Sequence, residues 1–162
     1  MLQSAIEESE IKDDINIEIK EADLIILSMG SLYTSILPNI ICKEVKDVLT
    51  KTKAPIMYLC NVVTQPGETD GFNVSDHVKL LNRYLENKKI DAVIASNTEI
   101  DKDIAMKYST AEQKEPVKID YENIEKIGVE LIEDDLIVVE DNILRHNSLK
   151  LSSIIFSYLM RK

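Results

Sequence analysis

Ala22-Asp23-Leu24-Ile25-Ile26-Leu27-Ser28, closed by Gly30, decides the fold of this chain. Four consecutive aliphatic residues ending on a glycine are too short for a helix. They read as a strand of a parallel sheet, covered on both faces. Two similar runs follow, Ile56–Cys60 after Pro55 and Ile90–Ser96. Between the first two, beyond Pro38, the spacing predicts a helix from about Ile40 to Thr52 with Ile41, Val45, Val48 and Leu49 facing inward. Between the second and third it predicts a helix from about Ser75 to Asn87. Ser75 serves as its N-cap, Asp76 suits the positive end of its dipole, and Val78, Leu81 and Leu85 form its stripe. The order β-α-β-α-β specifies an α/β fold, a doubly wound and mostly parallel sheet of Rossmann-like type.

Outward from this centre the pattern is less regular. Helices are expected over Asp101–Tyr108 and Tyr121–Ile127, the latter capped by Gly128, and a terminal helix over Ser148–Arg161. Val117–Ile119, Val129–Ile132 and Leu136–Val139 read as short strands. Residues 15–22 fit a strand or a helix. Residues 1–14 are polar and read as a flexible segment, which leaves 15–162 as one α/β unit.

The chain has 162 residues with Lys plus Arg 19 and Asp plus Glu 29, so its formal charge is 19 − 29 = −10. That balance argues against nucleic acid or an anionic membrane surface as a partner, since both demand cationic surface. No apolar run approaches the roughly 18 residues of a membrane span. The opening Met1-Leu2-Gln3-Ser4 has neither a basic nor an apolar leader region, so a cytoplasmic location is expected. Cys42 and Cys60 sit in apolar runs and read as reduced core thiols; with His77 and His146 they lack the spacing of a zinc site.

In open α/β sheets ligands bind beyond the carboxyl ends of the strands. Three loops occupy that edge. Gly30, Ser31, Thr34 and Ser35 offer small hydroxyls and free N–H groups, either as an anion cradle or as a plain N-cap. The long loop from Asn61 to Asn73 carries Thr64, Gln65, Glu68 and Asp70. Glu68, Asp70 and Asp76 are candidate magnesium ligands or ordinary turn and capping residues, and His77 is a candidate general base or a structural histidine. Asn97 follows the third strand. Tyr108 and Arg145 are candidates for stacking and bidentate phosphate binding. No Walker loop, dinucleotide fingerprint or nucleophile elbow occurs, so the residues alone specify a ligand-binding doubly wound domain.

Gly30-Ser31-Leu32-Tyr33-Thr34-Ser35-Ile36-Leu37-Pro38-Asn39, after its strand, resembles a signature of the bacterial gluconeogenesis factor family, of the 2-phospho-L-lactate transferase-like superfamily. Tyr58-Leu59-Cys60-Asn61-Val62-Val63-Thr64-Gln65-Pro66-Gly67-Glu68-Thr69-Asp70-Gly71, continuing to Ser75-Asp76-His77-Val78, resembles its second signature. Members usually read Gly-Pro-Gly-Ser where this chain has Ser28-Met29-Gly30-Ser31, and they are about twice as long. The resemblance therefore implies the C-terminal half of such a protein, with an N-terminal half as partner. It also implies a cytoplasmic regulatory factor for gluconeogenic growth, cell shape and envelope synthesis that binds UDP-sugars such as UDP-N-acetylglucosamine. The alternative it carries is a magnesium-dependent phospholactyl transferase. Under the first reading Gly30, Ser31, Tyr33, Thr34, Ser35, Asn61, Thr64, Gln65 and Asn97 line the cleft. Tyr108 offers its ring to uracil and Arg145 holds the diphosphate. The isolated chain is expected to be aggregation-prone or else a homodimer through surfaces used in the family's assembly, because strand Leu24–Ser28 would be left as a bare apolar sheet edge.

Overall fold

The computed structural model describes residues 13–140 and 143–161. Four parallel strands form the central sheet in the order β1-β2-β3-β4: β1 Ile25–Leu27, β2 Ile56–Leu59, β3 Ala92–Ser96 and β4 Glu130–Asp134. A separate antiparallel pair joins β5 Ile137–Glu140 to β6 Ile143–His146. The α/β class expected from three apolar runs is what the chain adopts, with helices packed on both faces of the parallel sheet.

Strand alternation sorts the core into two layers. Ile56 and Tyr58 of β2 and Val93 and Ala95 of β3 face one side. There they pack with Leu32, Ile36 and Leu37, and with Val74, Val78, Leu81 and Leu85 of helix α4, Val74–Leu85. Those four α4 residues are 1% exposed or less, and burial of each contributes about 1.5–3 kcal/mol. Met57, Leu59, Ala92 and Ile94 face the other side, beneath Leu151, Ile154, Ile155 and Tyr158 of the terminal helix α7, Ser148–Leu159. Helix α6, Tyr121–Ile127, ends at Gly128 with φ 75°, the left-handed cap its sequence calls for.

Several expectations are corrected. The ambiguous stretch before β1 is helical: α1 runs Asp13–Glu21. Of the expected flexible segment, residues 1–12 lie outside the described residues, and Asp13 and Asp14 begin α1. The single helix expected from about Ile40 to Thr52 is broken in two, with α2 at Leu37–Ile41 and α3 at Lys43–Leu49, and a π-helical turn at Leu32–Ile36 precedes them. Ser31 caps the first turn by accepting from Thr34 N, and Pro38 falls in the first turn of α2, where a missing N–H costs nothing. Cys42 breaks the run with extended backbone, φ −57° and ψ 121°. Leu37 and Ile40 before the break and Leu49 after it thus reach the same core.

The N-cap of α4 is Asn73, not Ser75. Asp76 closes back on the Asn73 N–H at 3.0 Å, and Ser75 is fully buried. Val117–Ile119 forms no strand; Val63 makes one antiparallel bridge to Pro116. Strand β6 was not expected, since four residues holding Arg145 and His146 carry little apolar alternation. Helix α5, Lys102–Glu112, runs a turn beyond its expected end.

Candidate ligand cleft at the carboxyl edge

The loops after β1 and β2 are sewn together. Ser31 Oγ donates to Glu68 Oε2 at 2.7 Å, while accepting from Thr34 Oγ1 at 2.6 Å. Asn61 Nδ2 donates to the Gly30 carbonyl at 3.2 Å, and Asn61 Oδ1 accepts from the Tyr58 hydroxyl at 3.3 Å. Gly30 is required by space: a Cβ there would stand 2.9 Å from Ser35 Cβ. Tyr33 packs against the core, and Thr34 and Ser35 are exposed.

The second loop folds on itself. Gln65 N donates to Thr69 Oγ1 at 2.8 Å and Gly67 N to Asp70 Oδ2 at 2.8 Å. Thr64 is 2% exposed and holds residue 115 from both sides. Its N–H donates to the Glu115 carbonyl at 2.8 Å, and its hydroxyl accepts from Glu115 N at 2.9 Å. Thr64 is therefore a fastening between loop and core, beside a cleft of about 240 Å³ that it shares with Asp70, Ser109 and Gln113.

Beyond β3 a cleft of about 300 Å³ opens between Asn97 and Tyr121, lined also by Ser96, Thr98, Ile100, and residues 116–119. A narrow extension of about 30 Å³ continues it to Asn61 and Ile137. Asn61 and Asn97 thus both stand at this edge. Ser96 and Thr98, which the sequence did not single out, hold that edge in shape. Their hydroxyls bond each other at 2.7 Å, Thr98 Oγ1 donates to Asp135 Oδ1 at 2.6 Å, and Ser96 Oγ accepts from Leu136 N at 3.1 Å.

Tyr108 and Arg145 lie elsewhere, which corrects the expectation that both reach into this cleft. Tyr108 is 6% exposed, and its hydroxyl accepts from Leu144 N at 2.9 Å, so it anchors β6 instead of offering a ring face. Arg145 projects from β6 and pairs with Glu140 at 3.4 Å. One residue on, alternation turns His146 the other way, and its Nε2 lies 3.3 Å from the Cys60 carbonyl at the end of β2. Burial holds His146 below the ordinary histidine range, so the neutral ring donates that bond.

The acid–base and metal candidates are committed to the fold. His77 is 1% exposed, stacked on Tyr58 at 6.1 Å and meeting Phe72 edge-on at 5.4 Å. Its Nδ1 lies 3.0 Å from the Asn73 carbonyl, and burial lowers its pKa below 6.5. Asp76 holds the start of α4 and pairs with Lys79 at 3.4 Å. Glu68, Asp70 and Asp76 thus serve three separate contacts. Among the described residues no group of three or more His, Cys, Asp or Glu side chains could hold a metal ion. Cys60 is fully enclosed, and burial pushes its thiol up to about 12, which keeps it protonated and inert. Among the described residues no helix is long and apolar enough to cross a membrane.

Residues 3–137 match the family model described as 2-phospho-L-lactate transferase CofD. A Clostridium acetobutylicum protein is 40% identical over 144 residues, 89% of this chain and 32% of that protein. The gluconeogenesis factor of Bacillus subtilis is 39% identical over 141 residues, 87% of this chain and 44% of its own length. A crystal structure of a UPF0052-family protein from Bacillus halodurans superposes with TM-score 0.86 at 33% identity, covering 91% of this chain and 48% of that one. The chain thus spans less than half the length of these relatives.

Proposed function

The chain belongs to the 2-phospho-L-lactate transferase CofD family, and we propose that it is part of a nucleotide-sugar-binding regulatory factor. The ligand is UDP-N-acetylglucosamine or a close relative, and the process served is gluconeogenic growth with cell shape and envelope synthesis, in the cytoplasm. One observation carries the reading: relatives named gluconeogenesis factor are 39% and 37% identical to this chain over 141 residues, and the carboxyl edge of its sheet holds a cleft of about 300 Å³, a size that takes a small molecule. Gly30, Ser31, Thr34, Asn61 and Asn97 shape or border that edge.

The family model's own description favours a second reading, transfer of a phospholactyl group. Glu68, Asp70 and Asp76, the candidate ligands of its metal, each accept a hydrogen bond in the edge loops or at the start of α4.

Calorimetric titration of this chain with UDP-N-acetylglucosamine tests the first reading. Saturable one-to-one binding, with GDP binding more weakly, supports it. Absence of heat with the nucleotide sugar sinks it. Turnover of a deazaflavin precursor and nucleotide donor by the longer protein, abolished by Asp76→Ala, would favour the transferase.

A further inference from the structure

Helix α5 hangs between two fixed points of the fold. Ahead of it Thr98 is locked just beyond β3. Its hydroxyl lies 2.7 Å from Ser96 Oγ, donates to Asp135 Oδ1 at 2.6 Å and accepts from Ile137 N at 3.2 Å. Behind it Glu115 is held by both backbone groups, the carbonyl accepting from Thr64 N at 2.8 Å and the N–H donating to Thr64 Oγ1 at 2.9 Å. Between these posts Asp101 caps the helix start by accepting from Asp103 N at 2.9 Å. Gln113 ends the helix in left-handed backbone, φ 53° and ψ 32°, which a residue with a side chain adopts at a cost.

Along its length α5 buries little. Eight of its eleven residues are exposed, Ile104 and Ala105 are half-buried, and Tyr108 is its one buried residue. In α4, by contrast, seven of twelve residues are buried. A helix as short as α5 is marginal in water on propensity alone, and segments with few buried apolar contacts open at the lowest free energy. Lys107 also has a partner, yet it is exposed, where polar contacts are worth little. The fastening in the middle is Tyr108, whose hydroxyl accepts from Leu144 N at 2.9 Å. Its receiver is fixed. His146 Nε2 lies 3.3 Å from the Cys60 carbonyl, and Asn147 N donates to the Leu136 carbonyl at 2.8 Å, so β6 is tied to the sheet without α5. Release of Tyr108 therefore frees α5 and leaves β6 in place. What it uncovers is the carboxyl edge. Ser109 and Gln113 wall the 240 Å³ cleft with Thr64 and Asp70, and Ile100, at the approach to α5, walls the 300 Å³ cleft.

We propose that α5 is a lid over the carboxyl edge, hinged at residues 99–101 and 113–114 and latched by the Tyr108 hydroxyl on Leu144 N. The opening of the lid is a property of the chain alone. Only its purpose, access to a bound ligand, rests on the reading of this edge given above.

The test is native-state hydrogen exchange of the 162-residue chain, read by NMR at low urea concentrations, in wild type and two variants. Amides 106–112 are expected to exchange at least about a hundredfold faster than amides 78–85 of α4, and with one shared, shallower urea dependence. Tyr108→Phe keeps the ring and strips Leu144 N of its acceptor, so it should speed exchange in α5 roughly tenfold. Ile56→Val weakens the core that α5 does not share. It should speed α4 several-fold through global unfolding and leave α5 unchanged. If α5 speeds with α4 in Ile56→Val, it opens only with the whole molecule and the lid is overturned. If Tyr108→Phe leaves α5 exchange as it was, the latch is overturned. A second series adds UDP-N-acetylglucosamine. Binding that slows amides 106–112 supports a lid over the ligand, and binding that leaves them unslowed overturns it. If this nucleotide sugar does not bind, the nucleotide-sugar reading falls, and the ligand-free exchange decides the lid by itself.

Discussion

Ser31 donates its hydroxyl to Glu68 across 37 residues of sequence, at 2.7 Å. The contact ties the helix start after β1 to the long loop after β2, so two edge loops move as one body. The same oxygen accepts from the Thr34 N–H at 3.1 Å. Loss of an N-cap acceptor costs about 0.5–2 kcal/mol, and the bond to a carboxylate adds to it. Ser31→Ala is expected to lower stability by about 1–2 kcal/mol in urea unfolding; an unchanged midpoint would show that the two loops are not mechanically joined.

Gly30 offers a sharper test of close packing. An added Cβ meets Ser35 Cβ at 2.9 Å, and Asn61 grips the Gly30 carbonyl, so the backbone is not free to retreat. Overpacking of this kind costs about 1–3 kcal/mol. Gly30→Ala should destabilise by that much, and Gly30→Ala combined with Ser35→Gly should recover most of it. Equal losses in the single and double variants would contradict the contact.

How much was legible follows from where each signal lives in the chain. Ile25-Ile26-Leu27, Ile56–Leu59 and the Val78, Leu81, Leu85 stripe are local apolar patterns, and they became β1, β2 and the buried face of α4. Gly128 was legible because only its own backbone conformation mattered. Tyr108 was not. On α5 it is the buried residue of a helix with little apolar contrast, and its hydroxyl partner, Leu144 N, lies 36 residues away. Arg145 and His146 look interchangeable as neighbouring cations, and only strand pairing with β5 decides that His146 turns toward β2. The cleft wall at residues 116–119 was not legible either, because Val117–Ile119 reads as a strand away from the edge loops. The chain folds that stretch back along Val62 and Val63, through the Val63–Pro116 bridge.

The two histidines predict an acid response with a definite sign. Burial is the leading cause that lowers the pKa of both His77 and His146 below the ordinary 6.5. The unfolded chain therefore takes up protons first as pH falls. Their neutral forms add full stability above about pH 6.5, and that stability is lost as pH drops below 6.5 toward the folded values. Unfolding midpoints should fall as the pH drops below 6.5, and His77→Phe should flatten part of that slope. A slope identical in wild type and variant would remove His77 as its source.

Buried Ser75 and half-buried Asp120 form a clamp between α4 and the segment before α6. Ser75 donates its N–H to Asp120 Oδ1 at 3.0 Å and its hydroxyl to Asp120 Oδ2 at 2.6 Å. Burial, the largest single influence, would raise the Asp120 pKa, but the hydrogen bonds from Ser75, from Asn123 and from its own backbone together outweigh it and hold the carboxyl below 3.8. Asp120→Ala leaves the fully buried Ser75 with two unmet donors, a loss of about 1–3 kcal/mol. Thermal melts should show the drop at neutral pH and a smaller one below pH 3.8, where the wild-type carboxyl itself protonates; a difference independent of pH would argue against the ionised clamp.

The last expectation concerns β1. Its neighbour on one side is β2, with Ile25 set against Ile56, Ile26 against Met57 and Leu27 against Tyr58. On its other side no strand pairs with it among the described residues. Ile25 N donates to the Pro55 carbonyl at 2.9 Å, so the alternation of a parallel ladder turns the Ile26 N–H and carbonyl toward the free edge. Ile26 is also 41% exposed on the face that α7 covers over Met57 and Leu59. An open edge that presents both backbone groups and an aliphatic side chain is a template for strand addition. The isolated chain is expected to self-associate through β1, as a dimer or larger species that grows with concentration in sedimentation velocity. Ile26→Lys keeps the bonds to β2, adds a charge at the edge and should shift the population to monomer. A wild-type chain that sediments as a monomer at every concentration, or an Ile26→Lys chain that associates as strongly, would place the association elsewhere or remove it.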